Sequence, residues 1–103
     1  VVELEGFDAD SSPQADPRTL LRRLSYTLIG LPPSRDDVES FAADPSPARY
    51  AMLVEAGLAS PQFGERWSRM WLDLVRYVDQ TPDYLTSAER AWLYRDWIVE
   101  AFN

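Results

Sequence analysis

The sequence predicts an all-α domain: an irregular array of about five helices, roughly 17–29, 35–43, 47–59, 61–79 and 87–102, preceded by an extended N-terminal arm. Apolar residues recur at spacings of three and four along each of these segments, which places them on one helical face. A capping residue followed at once by proline occurs at Asp16-Pro17, Ser46-Pro47 and Ser60-Pro61, the pairing that suits an N-cap and the first helical position. Strand-like alternation of apolar and polar residues appears nowhere for more than a few positions.

Residues 1–15, VVELEGFDADSSPQA, carry two acidic and small-residue clusters and no sustained period, so they are read as a mobile or draped arm. Residues 16–103 form the helical domain. Its first helix is capped by Asp16 and lines up Leu20, Leu21, Leu24 and Leu28, with Arg18, Arg22 and Arg23 on the other face. Gly30 closes it, and Pro32 and Pro33 forbid continuation. Ser34 caps the second helix, with Asp36 and Asp37 where the helix dipole favours negative charge, and Val38, Phe41 and Ala42 as its stripe. The third is read from Ser46, with Tyr50, Leu53, Val54 and Leu58 inward and Gly57 weakening its end.

The strongest periodicity runs from Pro61 to about Asp79, with Phe63, Trp67, Met70, Trp71, Leu74, Val75 and Val78 on one expected core face. Opposite them Glu65, Arg69, Asp73 and Arg76 alternate in sign at helical spacing and predict a ladder of ion pairs. Thr86 and Glu89 form a capping box for the last helix, whose stripe is Ala91, Tyr94, Trp97, Ile98 and Ala101. Trp92 and Val99 lie off that stripe, which marks a helix covered on two sides or a surface awaiting a partner. The expected core is Leu20, Leu24, Leu28, Phe41, Leu53, Trp67, Trp71, Leu74, Trp97 and Ile98.

Composition narrows the chemistry. The 103 residues suffice for one modest core. Ten Arg stand against seventeen acidic residues, a net charge of −7, so nucleic acid and anionic membrane surfaces are poor partners. No run reaches the roughly 18 apolar residues of a membrane span, and residues 1–7 do not read as an export signal. Cys, His and Lys are all absent. Disulfides, thiolate chemistry and Schiff-base catalysis are thereby excluded, together with the commonest ligands of zinc, copper and haem iron. No cofactor is expected on this chain.

Three blocks recur in order that resemble one known family: LLRRLSYTLIGLPPS from Leu20 to Ser34, SPQFGERWSRMWLDLVRYVD from Ser60 to Asp79, and YRDWIVEAFN from Tyr94 to Asn103. The chain resembles the planctomycete cytochrome c-associated domain of unknown function, from about residue 12 onward. The resemblance implies a module of a large exported protein, set behind a cytochrome c-like domain that holds any haem and ahead of a second uncharacterised domain. It also implies a domain continuing beyond Asn103, of which this chain is the N-terminal portion. The family pattern often carries His where this chain has Met70, so no role of that His transfers here.

Three site readings follow. Glu65, Arg66, Arg69, Asp73, Arg76 and Asp79, with Arg95 and Asp96, offer carboxylates beside guanidinium groups for acid–base work or anion binding, completed by further sequence. The structural counterpart is that the same charges stitch the last two helices together, Asp73 and Arg95 as semi-buried pairs. Flat aromatic side chains, Trp92 and Tyr84 above all, suit polysaccharide or a protein partner, whereas Trp67 and Trp71 read as core. The acidic stretch Asp8 to Ser12 fails as a calcium loop, because Pro13 stands where a turn Gly is needed and Thr19 where the bidentate Glu belongs. Weighed together, these observations favour a non-catalytic module that packs neighbouring domains of its own polypeptide, with Tyr84, Trp92 and Val99 as contact residues.

Overall fold

A computed structural model describes residues 13–78 and 90–103. Among them are five helices and no strand: α1 (Pro17–Leu28), α2 (Arg35–Ala43), α3 (Pro47–Leu58), α4 (Pro61–Leu74) and α5 (Ala91–Phe102). The expected arm up to residue 12, Asp79, Tyr84 and the Thr86–Glu89 capping box lie outside the described residues.

The capping chemistry forms as the residue types dictate. The Asp16 carboxylate accepts from the Thr19 backbone N–H at 3.1 Å and from the Thr19 hydroxyl. Ser34 Oγ accepts from the Asp37 N–H at 3.1 Å and donates to Asp37 Oδ2 at 2.6 Å. Ser46 Oγ accepts from the Arg49 N–H at 3.3 Å. The three bonds to backbone N–H groups each satisfy a donor that the first helical turn cannot pair internally. At the other end of α1, Gly30 takes a left-handed φ of 74° and its N–H reaches the Ser25 carbonyl at 3.2 Å.

α1 packs against α2 and α3, and α4 packs against α5. Leu21 and Phe41 are buried where α1 meets α2, and Phe41 leans on Tyr50 with ring centroids 6.1 Å apart. Arg18 clamps Glu39 across the α1–α2 junction through two parallel bonds of 2.8 and 2.9 Å. Gly57 does more than weaken α3. A Cβ there would lie 2.7 Å from Leu28 Cδ1, so the glycine lets α3 approach α1. The expected core leucines Leu24, Leu28 and Leu53 are half-buried, because they line a groove of about 240 Å³ between α1 and α3.

Two sequence expectations fail in the last two helices. α4 ends at Leu74 and does not run on to 79, because Arg76 adopts φ 53°. The Tyr77 N–H then bonds the Leu72 carbonyl at 2.9 Å and the Arg76 N–H bonds the Asp73 carbonyl at 3.2 Å. That pair of bonds is the Schellman closure, made here with Arg in the position usually held by Gly. The second failure concerns which face of α4 is inside. Gly64, Ser68 and Leu72 are the buried residues of this helix, one turn apart, while the expected core residues Trp71, Leu74 and Trp97 are 45%, 78% and 59% exposed. Small side chains won the contact because they let the two backbones approach closely, which bulky indoles prevent.

Candidate functional site

α4 and α5 form an antiparallel hairpin, since the start of α4 meets the end of α5 and Trp71 meets Tyr94. Its seam is built on Gly64. A Cβ at that position would stand 2.3 Å from the Val99 carbonyl oxygen and 2.7 Å from the Asn103 carboxamide. Asn103 Oδ1 accepts the Gly64 N–H at 2.7 Å, and its Nδ2 donates to the Pro61 carbonyl at 3.2 Å. The Ser60 carbonyl accepts from the Phe63 N–H at 2.9 Å, and Asn103 supplies the acceptor for the Gly64 N–H, so the carboxamide ties the end of α5 to the first residues of α4. Further along, Ser68 is 2% exposed and Leu72 9%, with Ile98 of α5 buried as well.

This seam divides the hairpin into two unlike sides. On one side Glu65, Arg69, Arg95 and Asp96 line a cleft of about 330 Å³ floored by Ser68, Leu72 and Val99. Arg95 bonds Asp96 through Nε and Nη2, both at 3.0 Å. The expected ladder along α4 is absent: Glu65, Arg69, Asp73 and Arg76 are exposed and make no ion pair among the described residues. Asp73 therefore forms no pair with Arg95. Arg66 does not line this cleft; with Glu65 and Arg69 it lines a second, smaller pocket against Ile29, Gly30 and Leu31, its Cδ 2.7 Å from where a Cβ on Gly30 would stand. Its Nε is buried without a hydrogen-bond partner. Among the described residues no group of three Asp or Glu side chains is placed to hold a metal ion.

The other side is aromatic. Trp71 Nε1 donates to Tyr94 Oη at 2.8 Å, and the Tyr94 ring stacks on Trp97 with centroids 6.3 Å apart and planes at 26°. Met70, Leu74, Val75 and Leu93 are exposed beside them. Trp67 is half-buried, 5.9 Å from the Phe63 ring, with an indole N–H that has no acceptor. Of the contact residues expected from sequence, Trp92 is exposed, whereas Val99 is half-buried with its carbonyl against Gly64, and so belongs to the seam.

Sequence reasoning missed Gly64, Ser68, Leu72 and Asn103. A signal was present: Gly64 and Ser68 are small residues four apart, followed by Leu72 at the same interval. That row marks close helix contact, but a count of hydrophobic residues passes over it. Among the described residues no helix is long and apolar enough to cross a membrane. No curated protein and no solved structure matches the chain. The family model of PSCyt2, described as a protein of unknown function (DUF1549), matches residues 2–103, and the chain belongs to that family.

Proposed function

We propose that this chain is a non-catalytic helical packing module, which offers the aromatic side of the α4–α5 hairpin to a neighbouring domain of the same polypeptide. The observation that carries this reading is the joined group of Trp71, Tyr94, Trp97 and Leu74, exposed together on one side of the seam. A continuous apolar patch of this kind marks an interaction surface, because leaving large aromatic area in water forgoes its burial free energy. The absence of His and Cys supports the same reading by removing the usual bases, nucleophiles and soft metal ligands. The likeness to cytochrome c-associated domains supports an exported multidomain setting, with any haem on another domain.

The test uses a variant in which Trp97 is the sole tryptophan. Acrylamide quenching of Trp97 is compared between the 103-residue chain and a longer polypeptide that includes an adjacent domain. Trp97 becomes shielded in the longer polypeptide; equal quenching in both overturns the reading. The cleft of Glu65, Arg69, Arg95 and Asp96 favours a second reading, in which Arg69 grips an anion. That version requires saturable anion binding by the chain and its loss in Arg69→Ala.

A further inference from the structure

We infer that the pocket between the start of α4 and the Gly30 turn binds a carboxylate carried on a short apolar stem. This site stands apart from the packing role proposed above. The pocket, about 160 Å³, is lined by Gln62, Glu65, Arg66 and Arg69 of α4 and by Ile29, Gly30 and Leu31. Gln62, Arg66 and Arg69 recur at intervals of four and three, so they share one face of the helix.

Arg66 is held in place. Its stem packs on Gly30, where a Cβ would lie 2.7 Å from Cδ and 3.3 Å from Nε, and Nε is buried there with no acceptor. An unbranched apolar side chain such as Met would fill the same contact without burying an unpaired N–H. A guanidinium kept at that cost marks a site where its other donors are used. Neither Arg66 nor Arg69 makes a hydrogen bond or ion pair among the described residues. Glu65 stands four residues before Arg69, the spacing of a favourable pair, yet it makes none. Gln62 Oε1 accepts from the Ser60 hydroxyl, which leaves its amide group to donate, and the Leu31 carbonyl is taken by the Ser25 hydroxyl at 2.6 Å. The wall therefore offers two guanidinium groups and a carboxamide donor against a single carboxylate.

Paired guanidinium N–H groups match the two oxygens of a carboxylate. A singly charged ligand is favoured over a dianion, because Glu65 and the net charge of −7 oppose each further negative charge. At roughly 30 Å³ for each water, the pocket has room for about five, the size of a carboxylate with a short alkyl stem that meets Ile29 and Leu31.

The experiment follows the Arg Nε–H resonances of the isotope-labelled 103-residue chain during titration with sodium acetate or sodium butyrate, chloride holding the ionic strength constant. The Arg66 and Arg69 signals shift together and saturate with a Kd on the order of millimolar, the affinity that ligands this small reach. Butyrate binds more tightly than acetate, inorganic phosphate more weakly, and the signal of exposed Arg23 stays in place. Arg66→Met keeps the stem on Gly30 and abolishes binding with far-UV dichroism unchanged. Arg66→Lys, which keeps the charge without the fork, weakens it roughly tenfold, and Glu65→Gln tightens it. In the longer polypeptide, continued butyrate binding assigns the carboxylate to a free acid, whereas an Arg66 signal already shifted and unresponsive assigns it to a side chain of the adjoining sequence. Shifts that never saturate, or that Arg23 shares, overturn the inference, as does phosphate binding more tightly than butyrate. Arg69 borders both this pocket and the cleft, so binding that survives Arg66→Met but not Arg69→Ala returns the anion to the cleft and sinks the pocket.

Discussion

Single atoms decide the α4–α5 contact, and Gly64 shows how. In an exposed helix interior, Gly→Ala raises stability by about 1 kcal/mol through backbone entropy. At Gly64 the sign reverses, because the new methyl would meet the Val99 carbonyl at 2.3 Å, a backbone group that cannot swing aside. Gly64→Ala is expected to cost about 1–3 kcal/mol in urea unfolding. Arg76 is the opposite case. Its φ of 53° is one that Cβ disfavours, so Arg76→Gly should raise stability by about 1 kcal/mol and leave the helix ending at Leu74. A third residue-scale effect is the acid response of α1. The Thr19 hydroxyl, and then its backbone N–H, hold the Asp16 carboxyl below its ordinary value near 3.8, and hydrogen bonding to Arg18 holds Glu39 below 4.5. Groups with lowered folded values add stability above their unfolded values and lose it as pH falls through the folded ones. The start of α1 should therefore fray below about pH 4, seen as faster exchange of the Thr19 amide, and Asp16→Ala should flatten that dependence.

At the scale of the element, prolines and caps made the helix starts legible. Asp16, Ser34 and Ser46 each accept the backbone N–H three residues on, because a side-chain oxygen there meets a donor the helix itself leaves unpaired. The end of α4 was not legible, since nothing in the string from Leu74 to Val78 announces that an Arg will take a left-handed turn. Nor was the tie at the start of α4. Ser60 and Pro61 promise a local cap, yet the bonds to the first turn come from Asn103, 39 residues beyond Gly64. Long-range side-chain bonds leave no local trace in a sequence. Asn103→Ala removes both bonds and is expected to lower stability by about 1–2 kcal/mol and to speed exchange of the Gly64 amide.

For the whole molecule, the all-α class followed from periodicity, but which side faces inward did not. Periodicity finds an amphipathic face and assumes that the apolar side is the buried one. That holds for Leu21 and Phe41. It fails for α4, where small residues make the seam and the indole-rich face is left for another surface. The candidate charges were similarly half-legible: Arg69, Arg95, Glu65 and Asp96 do converge on one cleft, whereas Arg66 joins Glu65 and Arg69 in a second pocket beside Gly30, and Asp73 stays on an exposed face. Two leucines on one helix separate the alternatives most directly. Leu72 is 9% exposed in the seam and Leu74 is 78% exposed on the aromatic side. In equilibrium unfolding of the 103-residue chain, Leu72→Ala should cost about 2–5 kcal/mol and Leu74→Ala no more than about 0.5 kcal/mol. The reverse order, with Leu74→Ala the damaging change, would contradict the seam and the outward-facing aromatic surface together.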